Sequence, residues 1–285
     1  MNVRFWGVRG SIPTPGPQTA RWGGNTSCLE IRHGDLPPLV LDCGTGARRL
    51  GHRLLQEPGR KLHLLFTHYH MDHVFGFPFF APIYTPGYDV RITMPAFSEE
   101  EARDKLARYL NGVYHPTRLR ELPAQVSFAV ERPDRVFDLD GYSVVGLRLN
   151  HPGGSVGWRI TAGGRSVVYM TDTSPFTKPG LGVAAGQEPD GREVRVIEFL
   201  RGADIVVYDT MYELDEYLER MTWGHSYPEY AIALCRAANV RKLVLFHHAP
   251  DHDDDHIDAR EARFKHEVSP TVAVAREETT MNVEG

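Results

Sequence analysis

Cysteine is scarce in this chain: Cys28, Cys43 and Cys235 are the only three in 285 residues, widely spaced and in no CxxC pair. That excludes a disulfide framework and a thiolate zinc site, and it leaves buried, reduced thiols. No apolar run approaches the roughly 20 residues that a membrane helix requires, and the amino-terminal MNVRFWGVRG holds no long apolar segment. A membrane is therefore not an expected partner, and the cytoplasm is the expected location. Positive charge is not in excess either. Lys and Arg number 32 against 37 Asp and Glu, a formal net charge of −5, and the cations are scattered rather than gathered in a stripe. This argues against a surface built to hold long nucleic acid and for a small or short substrate.

What is present describes a globular protein. Hydrophobic residues make up 41% of the chain and the mean hydropathy is −0.35, enough apolar material for a sizeable core. The length lies slightly above the usual single-domain range, yet layered α/β folds of this size are common as one unit, so residues 1–285 are read as one domain. A homodimer is compatible with this reading. The tail after Arg276 is the one stretch expected to be disordered.

Short apolar or alternating runs punctuated by Gly and Pro suggest strands at 3–8, 27–32, 39–41, 62–66 and 90–94. The second half repeats the pattern at 126–130, 142–149, 157–161, 166–170, 205–208 and 243–246. Helices are expected at 47–56 and 98–110, the latter opened by a capping box of Ser98 and Glu101. Two strand-rich halves, each followed by helices, predict an α/β fold of the α+β kind, an αββα four-layer sandwich of two mixed sheets with outer helices. The Gly/Pro-rich stretches 10–24 and 178–191 read as long surface loops, a place where lids are found.

Residues 67–73 read THYHMDH, three imidazoles and a carboxylate directly after the apolar run 62–66. His68 and His70 stand two apart, so an extended backbone or strand-end turn lets both face one cavity. Four ligand-type side chains this close do not fit one ion. The spacing suggests two ions side by side, His68 and His70 on one, Asp72 and His73 on the other. The competing reading, a solvated His-rich turn, fits poorly between an apolar strand and the apolar VFGFPFF. Three further strands end in the same way: the parity of Val145, Leu147 and Leu149 continues to His151, the strand 166–170 leads into Asp172, and KLVLFHH leads into His247 and His248. Open α/β sheets place ligands at such strand ends.

In this arrangement the chain resembles the metallo-β-lactamase superfamily, whose signature is HxHxDH followed by a His, an Asp and a final His on successive strand ends. LDCGTG at 41–46 is similar to the superfamily's first motif. The resemblance implies that His68, His70 and His151 hold one metal ion and Asp72, His73 and His247 the other, with Asp172 bridging and Asp42 orienting the HxHxDH loop. His248 competes with His247 for the last position; the superfamily ligand is the first residue after the strand, which favours His247. Imidazole and carboxylate donors suit two divalent ions, zinc foremost, with Mn or Fe compatible.

Two such ions activate a shared water and serve many esters. WGHSYPE at 223–229 narrows the choice, because Ser226 and Glu229 have capping-box spacing and place His225 at an expected helix amino terminus, suited to a phosphate oxyanion. VVYDT ends another strand in Asp209, which could orient that imidazole; a carboxylate and a His form a general acid. Here the chain resembles ribonuclease Z and the related small-molecule phosphodiesterases, in which a GHS motif follows a strand-end acid. Those enzymes more typically carry Glu where this chain has Asp209. The resemblance implies a metal-bridging hydroxide as nucleophile and His225 as the proton donor to the leaving alkoxide, with His225, Asp209 and Asp72 as the catalytic set. A small cyclic or short phosphodiester is the expected substrate. The alternatives are a transfer RNA 3′-end endonuclease of the ribonuclease Z kind and a lactone or thioester hydrolase. Ribonuclease Z enzymes usually carry a long basic arm, whereas 178–191 holds one Lys and no Arg.

Weaker signals have plainer readings. GTGARR lacks the Lys of a phosphate-binding loop and reads as a tight turn. DHDDDH at 251–256 reads as a solvated turn with Asp254 or Asp255 capping a helix. Arg103, Lys105, Arg108, Arg118 and Arg120, interleaved with acids, read as a solvated helix face. Trp22, Phe75, Phe77, Phe79 and Phe80 are expected in the core or a pocket wall, with Phe77 and Phe79 on one face.

Overall fold

The structure, a computed structural model, describes residues 1–283. In the first half β1 (Asn2–Gly7), β2 (Cys28–Arg32), β3 (Leu39–Leu41), β4 (Lys61–Leu65), β5 (Asp89–Thr93) and β6 (Gln125–Ala129) lie side by side in chain order. The first three pair antiparallel and β3 to β6 pair parallel. The second sheet holds β7 (Val136–Leu139), β8 (Tyr142–Arg148), β9 (Val156–Ala162), β10 (Arg165–Met170), β11 (Ile205–Asp209), β12 (Lys242–Phe246) and β13 (Thr271–Val274). Its first four strands are antiparallel and β10 to β13 parallel. A last strand, β14 (Thr280–Asn282), returns to the edge of the first sheet and pairs antiparallel with β1. The tail expected to be disordered is thus an ordered edge strand through residue 282, because β1 offers it an unpaired backbone edge.

Three apolar clusters make the layers. Phe5, Leu41, Trp158, Tyr169, Val207 and Phe246 belong to the one that draws on both sheets. On the outer face of the first sheet, α1 (Ala47–Leu54) and α3 (Glu99–Ala107) bury Leu50, Leu54 and Leu106. On the outer face of the second, α4 (Gly191–Leu200), α6 (Pro228–Ala237) and α7 (Asp254–Phe264) bury Leu200, Leu234 and Ile257. This is the αββα sandwich. The parallel strands β4, β11 and β12 are covered on both faces, which is why they read as continuous apolar runs rather than alternating ones.

Local differences from expectation have local causes. Ser98 does cap α3, accepting Glu101 N–H at 3.1 Å, but Glu101 reaches back to Phe97 N–H instead of closing the box on Ser98. In the 10–24 loop, Trp22 is buried and its indole N–H donates to Asp258 at 2.7 Å, so that loop is tied to the body. The 178–190 segment folds back through Val183 onto the core. Asp253, not Asp254 or Asp255, caps α7; Asp254 is buried and accepts the N–H groups of Arg21 and Trp22. Among the described residues no helix is long and apolar enough to cross a membrane.

The parallel registers are nearly level: Val40 lies beside Leu64, Met170 beside Tyr208, and Asp209 beside Phe246. The carboxyl ends of β3, β4, β10, β11 and β12 therefore open at one edge of the sandwich. Every expected site residue except His151 and His225 follows from these ends.

Candidate metal centre

Beyond β4 the chain runs through Thr67 to His70 and then into α2 (Met71–Val74), a single turn that carries Asp72 and His73. Three other strands turn abruptly at their tips. Asp42, Asp172 and His247, each just past β3, β10 or β12, have φ of 56°, 57° and 67°. Left-handed backbone costs non-glycine residues energy, least for Asp, Asn and His. Here the turn aims each of the three side chains back across the strand ends.

Among the described residues three candidate groups result, one of which joins Asp172 and His247 to Asp209 and His225; the other two follow the sequence expectation. His68, His70, His151 and Asp172 form one, and Asp72, His73, Asp172 and His247 the other; within each, the candidate ligand atoms all lie within 4.8 Å of one another. Asp172 belongs to both through different oxygens. Its Oδ2 lies 3.5 Å from His68 Nε2 and 3.6 Å from His151 Nε2, its Oδ1 3.0 Å from His73 Nε2 and 3.1 Å from His247 Nε2. Asp72 Oδ2 faces His73 and His247 at 3.1 and 3.2 Å.

Surrounding hydrogen bonds fix the imidazole tautomers. His73 Nδ1 donates to Asp42 Oδ2 at 2.7 Å. His151 Nδ1 donates to the Gly224 carbonyl at 2.9 Å. Thr67 Oγ1 donates to Asp42 and accepts from His68 Nδ1 at 3.0 Å. Each neutral ring is left with a bare Nε2 lone pair aimed at Asp172. Nε2 of His68 and of His73 are buried and without a hydrogen-bond partner. Lone pairs converging on a carboxylate repel, and a cation between them removes the repulsion; the donor set fits divalent metal. Without a cation the same carboxylates draw a proton onto the ring instead: burial works against a charged His73, yet Asp72, Asp172 and Asp42 outweigh it and hold its pKa well above the ordinary imidazole value. Burial likewise disfavours ionised Asp172, but His247, His73 and His68 hold its carboxyl well below the usual range.

Next to the second group stand Asp209 and His225. His225 Nδ1 meets Asp209 Oδ2 at 2.9 Å, and the His225 ring lies 5.1 Å from that of His247. Asp209 is fully buried and also accepts Thr173 and Met211 N–H, both at 3.1 Å. Burial lowers the pKa of His225, but Asp209 more than compensates and raises it to about 9. His225 is not at a helix terminus as expected. Tyr227 caps α6, Pro228 begins it, and Ser226 Oγ makes no hydrogen bond. Proline at the first helical position replaced the capping box, and the carboxylate rather than the helix orients the imidazole.

His248 is excluded from the site: its buried ring donates from Nε2 to the Ala275 carbonyl at 2.8 Å. Phe77 and Phe80 are core, whereas Phe79 is 60% exposed, so Phe77 and Phe79 do not share a face. They lie on a tight helical turn instead of a strand. Beside His68 and His70 a cleft of about 990 Å³ opens, walled by Phe75, Phe79, Tyr109, Tyr114 and His115. Lys105 and Arg118 pair with Glu101 and Glu121 as a solvated face would, but Lys105 and Arg108 also line this cleft.

Sequence reasoning missed three supporting groups. Gly224 has φ +94° and its missing Cβ would sit 2.3 Å from His151 Nδ1, so only glycine brings that carbonyl against the ring. Ser11 N–H donates to Asp72 Oδ2 at 2.9 Å, and Tyr169 O–H to Asp42 Oδ2 at 3.1 Å. The glycine in GHS was a legible signal; the other two come from distant segments and left none.

Residues 39–248 match the family model described as beta-lactamase superfamily domain. The chain is similar to the ribonuclease Z of Thermoplasma acidophilum, 24% identical with 92% of this chain and 91% of that protein covered. Among solved structures it is similar to the metallo-β-lactamase fold protein YhfI of Bacillus subtilis, with a TM-score of 0.71, 20% identity and 98% of each chain covered. A diphosphatase of the PhnP family superposes with a TM-score of 0.66 at 17% identity, covering 99% of this chain and 98% of that one.

Proposed function

This chain belongs to the β-lactamase superfamily, and from that membership we propose that it is a binuclear metal-dependent phosphodiesterase acting on a small cyclic or short phosphodiester. The observation that carries the reading is the Asp209–His225 pair, 2.9 Å apart and beside the ring of His247. A hydrolase of carboxylic esters expels its alkoxide from a tetrahedral intermediate that the metals can stabilise, so it depends less on a separate buried proton donor. A diester with an alkoxide leaving group needs both.

His68, His70 and His151 would hold one ion, Asp72, His73 and His247 the other, and Asp172 both. Bound there, two divalent ions, zinc by the donor chemistry, supply Lewis acidity and an activated water nucleophile. The chain's own residues do the rest. Asp42 fixes His73 by its Nδ1–H, and Gly224 fixes His151. Asp209 takes the Nδ1–H of His225 and stabilises the imidazolium, which leaves Nε2–H to protonate the departing oxygen; such proton transfer contributes about 10²- to 10⁴-fold. The similarity to ribonuclease Z supports a second reading, cleavage of transfer RNA precursors. The 178–190 segment, with one Lys and folded onto the core, does not supply the basic arm.

The test is His225→Ala assayed on a nucleoside 2′,3′-cyclic phosphate, on a lactone and on precursor transfer RNA. Diester turnover should fall at least 100-fold with any lactonase activity unchanged. Diester turnover within a few-fold of wild type rejects the mechanism, and cleavage of precursor alone selects the second reading.

A further inference from the structure

The wall of the cleft is unusually aromatic for a site facing water. Tyr114 is 84% and Phe79 60% exposed at its mouth. Phe79 meets His115 edge to face at 5.5 Å, and Phe75 meets Tyr109 in the same way at 6.4 Å. Rigid flat rings left in solvent forfeit the burial that folding otherwise gains, and they recognise flat rings by stacking. At about 990 Å³ the cleft lies at the top of the range of about 300–1,000 Å³ for small-molecule sites, far more than a cyclic phosphate on a sugar fills.

Two arginines edge the same cleft. Arg48 lies on α1 and Arg108 caps the end of α3. Neither guanidinium meets a carboxylate among the described residues, in contrast to neighbouring Lys105 and Arg118, paired with Glu101 and Glu121. A planar guanidinium without a partner is a ready phosphate ligand. A plain lactone or alkyl thioester would use the aromatic wall and leave the arginines idle. A bare sugar phosphate would use the arginines and leave the wall wet. Only a molecule with both a flat ring and a second anionic group engages everything the cleft presents.

Resting on the phosphodiesterase reading, we infer that the substrate is a nucleotidyl diester with a further phosphate: Phe79, Tyr114 and His115 hold its base, and Arg48 and Arg108 the phosphate remote from the reacting one. Three diesters form a ladder: methyl riboside 2,3-cyclic phosphate, adenosine 2′,3′-cyclic phosphate, and the latter bearing a 5′-phosphate. Each step should raise kcat/KM about tenfold or more, as one stacked base and one charge-assisted phosphate contact provide. Phe79→Ala with Tyr114→Ala should flatten the first step, and Arg48→Gln with Arg108→Gln the second. All four side chains are at the surface or the cleft edge, so the variants fold.

A flat wild-type ladder, with turnover of its first member, overturns the inference and leaves the phosphodiesterase reading standing. No turnover of any member by metal-loaded protein sinks that reading. Calorimetric binding of adenosine 2′,5′-bisphosphate separates the two failures. Affinity should drop about tenfold in each double variant, and equal affinity for wild type and variants rejects the inference whatever the turnover.

Discussion

Replacing Asp209 by asparagine keeps the shape of the side chain and removes one acceptor oxygen. Oδ2 takes His225 Nδ1–H at 2.9 Å and Thr173 N–H at 3.1 Å, while Oδ1 takes Met211 N–H at 3.1 Å. An amide serves only one of these sides. With its oxygen toward Met211, its NH₂ confronts the Thr173 donor and donates to His225 Nδ1. The ring is then neutral with its single proton on Nε2, a very weak acid. With the oxygen toward His225, the NH₂ confronts Met211 N–H. Either way a buried backbone donor is stranded, at about 1–3 kcal/mol, which lowers Tm by a few degrees in a chain of this size. The larger effect is on proton donation, where a loss of about 10²- to 10³-fold in kcat is expected for an alkoxide leaving group. The assay compares a nucleoside cyclic phosphate with bis(p-nitrophenyl) phosphate, whose nitrophenolate departs without a proton. Asp209→Asn and His225→Ala should each cost the cyclic phosphate far more than the nitrophenyl ester. Equal losses on the two substrates would mean that the pair is structural and the acid lies elsewhere.

Two further outcomes follow from the same geometry. Gly224→Ala places a Cβ 2.3 Å from His151 Nδ1 at a backbone φ of +94°; metal content by elemental analysis and activity should both fall, the latter about 10- to 100-fold as for other groups that orient a ligand, and wild-type values for both would refute the role of its carbonyl. His252 lies buried on α7's amino-terminal side, donating from Nε2 to Glu216 at 2.9 Å and facing Arg260. Burial first, and Arg260 second, depress its pKa to about 4. Folding therefore favours the neutral ring, so its stabilisation is complete above the unfolded pKa of about 6.5 and is lost as pH falls from there toward 4, about 3 kcal/mol in all. His252→Gln should flatten the fall in urea midpoint between pH 6.5 and 4, and an unchanged slope would assign the pH dependence to other groups.

The strands that carry the site were legible because parallel strands covered on both faces read as unbroken apolar runs. Strand 39–41 agrees to the residue, and β4, β5, β10 and β12 to within one. Missed were β7, β13 and β14, short elements at or near sheet edges, where pairing depends on a partner far along the chain; β14 answers to β1. Residue types at the strand tips pointed to the candidate ligand cluster, yet the device that gathers them was invisible: the left-handed turns at Asp42, Asp172 and His247. Asp and His tolerate that conformation better than most residues, but most Asp and His do not adopt it, so residue type alone does not mark these three. Arg108 is exposed, as expected, but its second neighbourhood was not legible. Its acidic helical neighbours indicated a solvated face, but the 111–117 loop folds Tyr114 and His115 beside it and converts one edge of that face into a cleft.

Asp209 shows where reading a residue against its relatives needs geometry. A glutamate there would reach one methylene further, so the shorter carboxylate put the pairing with His225 in question. In the fold the deficit vanishes, since β11 runs level with β12 and brings Asp209 beside Phe246, one residue before His247. The short side chain stays close to its own backbone, which is why it can accept Met211 N–H and Thr173 N–H while still meeting His225 at 2.9 Å. It also leaves Oδ1 only 3.9 Å from His247 Nδ1, an atom that is buried and otherwise without a partner. One carboxylate therefore faces both the proposed proton donor and a candidate metal ligand, with its position set by two backbone donors rather than by side-chain rotamers. A longer acid would have to fold back on itself to keep those backbone contacts, at a cost in rotamer freedom, so in this chain aspartate is the better fitted of the two.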